Sequence, residues 1–133
     1  SRHLGLANTT FANLKLHELA LRIDEFGGPF QMVLLCNSYQ YLFFGSQRCP
    51  DRYETHAEIF EMIRKVCSGR VIFNNRTDLE DCQRSTKADA RESGRESEYN
   101  EPAIADAASK YFDITRHGCA GGYPLWTLDV RGR

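Results

Sequence analysis

The chain has 133 residues and carries 17 basic against 18 acidic side chains, a net charge of −1. That length supports one domain, and the balanced charge argues against the basic excess by which nucleic-acid binders neutralise phosphate, and against a polybasic membrane patch. No apolar run approaches the roughly 18 residues of a membrane span; the longest, Met32 to Cys36, reads as a core strand.

Ser1 to Ala12 is small and polar, a flexible arm. Leu14, Leu16, Leu19, Leu21 and Ile23 nearly alternate, with a slip at His17-Glu18; a helix also fits, but the Gly27-Gly28-Pro29 turn that follows favours a bulged strand. Phe30 to Cys36 is a buried strand, Asn37-Ser38 a turn, and Tyr39 to Phe44 an aromatic return strand ending at Gly45, the clearest hairpin. Asp51 to Val66 is the clearest helix. Thr55 caps it, with Glu58 completing a capping box, and Ile59, Phe60, Ile63 and Val66 share one face. Ser68-Gly69 stops it, and Arg70 to Asn74 is a short strand.

Residues 83–101 hold nine charged side chains of both signs and one large apolar one, Tyr99, and so read as a mobile charged loop. Pro102 suits the first turn of a helix over Ala103 to Phe112. Thr115 to Gly122 reads as a turn-rich loop around Cys119, and Tyr123 to Val130 as a closing strand with the single Trp. The expected fold is therefore α+β over 1–133, a mostly antiparallel sheet with two helices in one disulfide-stapled domain.

Five cysteines occur with no C-x-x-C, which disfavours a zinc ribbon or a thioredoxin-type site and favours disulfides in an oxidising compartment with one thiol left over. Two N-x-S/T sequons, at Asn8 and Asn75, point the same way. No catalytic constellation emerges. His117 lies two residues from Cys119, a possible Cys/His pair, but an oxidised Cys beside a surface His is the simpler reading. His56 and Glu58 point to different helix faces and make a poor metal pair, and no cofactor is implied. Tyr39, Tyr41 and Phe43 share one strand face, read either as core or as a partner-binding surface.

R-V-I-F-N at 70–74 resembles a strand of fungal guanyl-specific ribonucleases, in which the Arg would stabilise phosphate charge. The match is five residues long, and the threonine-flanked His expected on the next strand is absent.

Four places together resemble the receptor-binding subunit of an arenavirus spike glycoprotein, in a divergent, hartmanivirus-like form. They are M-V-L-L-C-N-S-Y-Q-Y-L-F-F-G at 32–45, Cys49 ahead of the helix, C-S-G-R-V-I-F-N-N-R-T at 67–77, and Cys119 followed by G-G-Y-P-L-W-T-L and the basic Arg131 and Arg133. The resemblance covers roughly 14–82 and 117–133. It implies an attachment subunit without catalytic residues, on the virion surface or in the secretory pathway. Such a subunit binds a host receptor and is held non-covalently on a membrane-anchored fusion subunit, trimeric in the spike and monomeric in isolation. It makes Tyr39, Tyr41 and Phe43 receptor-binding candidates and Asn75 and Asn8 glycosylation sites. It also pairs Cys49 with Cys67, which bracket the helix, and Cys36 with Cys119. Cys82 is then the odd thiol and the most alkylation-sensitive one. The alternative function is a secreted ribonuclease-like domain, active or degenerate.

Overall fold

The computed structural model describes residues 8–132. Most of the expected N-terminal arm, with His3, and Arg133 at the other end lie outside them. Four strands form one mixed sheet in the order β1-β2-β4-β3: β1 (Phe30–Cys36), β2 (Cys67–Asn74), β3 (Phe112–Ala120) and β4 (Tyr123–Val130). β1 runs parallel to β2, while β2 with β4 and β3 with β4 are antiparallel. Five α-helices accompany the sheet: α1 (Leu16–Leu21), α2 (Tyr39–Phe44), α3 (His56–Val66), α4 (Arg84–Ser93) and α5 (Glu101–Ala108).

The parallel pair requires a crossover, and α2 and α3 supply it. α3 forms as expected. Thr55 Oγ1 accepts from the Glu58 amide at 3.2 Å, and Ile59, Phe60, Ile63 and Val66 are buried. The helix passes directly into β2 at Cys67, with no turn at Ser68-Gly69. Gly69 stands where a Cβ would meet the Gln31 carbonyl oxygen at 2.3 Å, beside the register irregularity of β1. α5 also forms, with Asn100 Oδ1 accepting from the Ala103 amide at 2.9 Å, though it ends at Ala108.

Several expected elements are different. The Leu14–Ile23 stretch is α1 and a 3-10 turn, because Leu16 and Ala20, four apart, turn inward while Leu21 stays exposed. Tyr39–Phe44 is a helix: Tyr39, Gln40, Phe43 and Phe44 are buried at helical spacing, which alternation along a strand could not achieve. No hairpin therefore follows β1. Gly45 ends α2 at φ +75°, and a Cβ there would meet the Pro50 carbonyl oxygen at 2.7 Å. Thr115–Ala120 belongs to β3, paired with β4, not to a loop.

The 83–101 segment is folded. Thr86 and Ala90 bury one face of α4. The Arg95 guanidinium lies 3.9 Å from the Phe43 ring centroid and donates to the carbonyls of Tyr53, Glu54 and Phe43. Tyr99 is buried, its hydroxyl donating to the Arg76 carbonyl at 2.6 Å. One arginine and one tyrosine thus tie a charged segment to the core, which composition could not reveal.

The helices pack on one face of the sheet. Val71, Phe73, Phe112, Trp126 and Leu128 form its inner surface, with Phe73 stacked on Trp126 at 5.0 Å.

Candidate functional site

Among the described residues, the other face of the sheet carries no helix. Across its register run Met32, Arg70, Asp129 and Asp113 in one row, then Leu34, Ile72, Thr127 and Thr115 in the next. Arg70 is forked onto Asp129, its Nε and Nη2 donating at 2.7 and 3.3 Å. That partnership raises the Arg70 pKa further, mainly through the hydrogen bond. Arg131 Nε donates to Asp113 at 2.9 Å beside it. His117 on β3 is exposed and its Nε2 lies 2.9 Å from Thr127 Oγ1. A register irregularity separates Arg116 from Cys119, and His117 hydrogen-bonds Thr127 and not Cys119.

β1 is one edge of this sheet, β3 the other. β3 guards its edge with Asp113, Arg116, His117 and its irregularity. β1 has no charged residue in F-Q-M-V-L-L-C, and Met32 and Leu34 are 58% and 68% exposed. In a chain with 26% charged residues, this is an unprotected apolar edge.

The receptor-binding candidates lie elsewhere. Tyr39 and Phe43 are fully buried and Tyr41 is half-buried, so an aromatic receptor face is not formed. Tyr39 and Phe43 instead both pack against His56. The imidazole stacks on Phe43 at 4.0 Å, its Nδ1 is 2.7 Å from the Tyr39 hydroxyl, and its Nε2 is 2.8 Å from the Glu98 carbonyl. The carbonyl can only accept, so Nε2 carries the proton and Nδ1 accepts from Tyr39. Burial first, and the Arg95 charge with it, lower the His56 pKa against the opposing pull of Glu98. Burial also raises Tyr39 and Tyr99 well above the ordinary range. This cluster is core; the neighbours of His56 come from two distant segments, α2 and residues 95–99, which sequence proximity could not show.

No disulfide forms among the described residues. Cys36 and Cys119 lie on opposite edge strands. Three interstrand steps put them about 14 Å apart, twice the roughly 7 Å limit for bridged Cα atoms. Cys49 is exposed in the α2–α3 connection, whereas Cys67 is buried at the far end of α3, so the expected bracket does not close. Cys82 is buried, Sγ donating to the Asp78 carbonyl at 3.5 Å, and burial pushes its pKa up to about 11. It is shielded, contrary to its expected reactivity.

Asn75 is fully buried. Its Oδ1 accepts from the amides of Ser38 and Tyr39 at 2.8 and 3.0 Å, and its Nδ2 donates to the Leu35 carbonyl at 2.8 Å. It fastens the end of β1 to the start of α2, and Thr77 is buried too. The second sequon is therefore closed to a glycan in the folded chain. Asn8 is exposed.

No protein-family model matches this chain, nor does any curated protein or solved structure. No helix among the described residues is long and apolar enough to cross a membrane.

Proposed function

We propose that the chain is a protein-binding domain rather than an enzyme, and that it takes an extended segment of its partner along the edge of β1. The observation that carries this is the uncharged edge strand with Met32 and Leu34 exposed beside it. An added strand satisfies the unpaired backbone groups, and its side chains cover the two apolar ones. The resemblance to arenavirus attachment subunits supplies the partner: the membrane-anchored fusion subunit, held without a covalent bond, in a virion-surface spike that also engages a host receptor. Its support is the order of segments along the chain. The disulfide pairs, the Asn75 sequon and the aromatic return strand, which is the helix α2, no longer contribute to it.

The test is co-expression with the polypeptide encoded immediately beyond the Arg133 codon. Co-purification is expected, with loss in a folded Met32→Lys/Leu34→Lys variant. A stop codon there would contradict the attachment reading, and a folded variant that still co-purifies would contradict the β1 site.

One observation favours the ribonuclease-like alternative: Arg70, Asp129 and His117 sit on three strands of one open face. Against it, the Arg70 fork is already filled by Asp129. RNA cleavage by wild-type protein that falls about 100-fold or more in Arg70→Ala would replace the binding reading; equal background in both retains it.

A further inference from the structure

A groove of about 900 Å³ lies between the start of α1 and the α2–α3 connection, away from the open sheet face. Its size is that of a small-molecule site, roughly 300–1,000 Å³. Leu14, Leu16, Leu42 and the rings of Tyr41 and Tyr53 form an apolar wall. His17 stands edge-on to Tyr53, with ring centroids 6.4 Å apart.

The acids and bases of the groove are unequally engaged. The Asp51 carboxylate takes the Lys15 ammonium, and that hydrogen bond, with the Lys15 charge and more weakly His17, holds its carboxyl below the usual range. Glu18 Oε1 accepts from the Lys15 amide at 3.2 Å. Arg48 and Arg52 also line the groove, and neither forms an ion pair or hydrogen bond among the described residues. Arg52 also lines a neighbouring pocket with Asp89 and Glu92, without closing an ion pair to either among the described residues. Asp51 is thus ion-paired and Glu18 hydrogen-bonded to a backbone amide, while two guanidinium forks, the groups best shaped for carboxylate or phosphate, are open.

We propose that this groove binds a small organic anion, a phosphate monoester or carboxylate on a flat apolar body. Arg48 and Arg52 hold the anion, and the leucines and tyrosine rings hold the body. The site is independent of the β1 edge.

Cys49 provides the readout. It lines the groove and is exposed, and Cys36 and Cys119 are exposed outside it. Alkylation by iodoacetamide is followed at each cysteine by mass spectrometry, with phenyl phosphate as the probe. Cys49 alkylation is expected to slow about fivefold at about four times Kd, by mass action, with Cys36 and Cys119 unchanged. The double variant Arg48→Gln/Arg52→Gln, checked for folding by circular dichroism and normalised to its own unliganded rate, loses the protection. Of phenyl phosphate and phenylacetate, the stronger protector at equal concentration identifies the anion. No effect of either at Cys49 into the millimolar range would overturn the proposal. So would protection that survives in the double variant, or inorganic phosphate protecting as well as phenyl phosphate.

Discussion

His56 is a neutral imidazole stacked on Phe43 and hydrogen-bonded to Tyr39, and its chemistry sets a pH dependence. Its pKa in the fold is below the ordinary 6.5, chiefly through burial. As pH falls through about 6.5, the unfolded chain binds a proton that the folded chain resists, so stability falls with pH until the folded group titrates too. The melting temperature is expected to drop between pH 7.5 and 5, with a shallower drop in His56→Gln; equal slopes would rule His56 out as the cause. Asn75 makes a second residue-scale prediction. Asn75→Ala removes the acceptor of the Ser38 and Tyr39 amides and a donor to the Leu35 carbonyl, and should cost about 2–4 kcal/mol in urea unfolding. A third concerns Cys82. With its pKa at about 11 and its thiol buried, it should be alkylated at pH 8 well after Cys36, Cys49 and Cys119, and equal rates would contradict its placement. Thr55 was legible in the sequence because its partner, Glu58, is three residues away. Asn75 was not, because its partners are 36 to 40 residues distant, and a sequon says nothing of them.

At the scale of elements, local signals worked where local contacts decide the outcome. α3 has a cap and a long apolar face, and β4 has its alternation. α2 is six residues long, too short for its period to be told from alternation, and only burial of Tyr39 with Phe43 and Phe44 against the core settles it. The order of the charged segment is illegible for a related reason: it depends on Arg95 reaching Phe43 and on Tyr99, not on apolar content. The junction of β1 and β2 has its own critical residue. Gly69→Ala forces a methyl group into the Gln31 carbonyl and should destabilise by about 1–3 kcal/mol. A neutral outcome in equilibrium unfolding would mean that β1 moves away from β2 at little cost.

For the whole molecule, the α+β class was legible, and the mixed sheet was not. Parallel pairing of β1 with β2 follows from α2 being a helix, and that one change converts a hairpin into a crossover and leaves β1 at an edge. The same topology separates Cys36 from Cys119 and opens one face of the sheet, so the structure shifts attention from disulfides and aromatic residues to an apolar strand edge. The central claim is that this edge receives a partner strand. Amide hydrogen exchange across Phe30–Cys36 measures it directly, in the isolated chain and in the complex with the polypeptide encoded beyond Arg133. In the isolated chain, the β1 amides that point away from β2 should exchange fast. In the complex they should be protected, while β3, the guarded edge, is unchanged. Protection confined to β3, or a complex that leaves Phe30–Cys36 exchanging as before, would contradict the account.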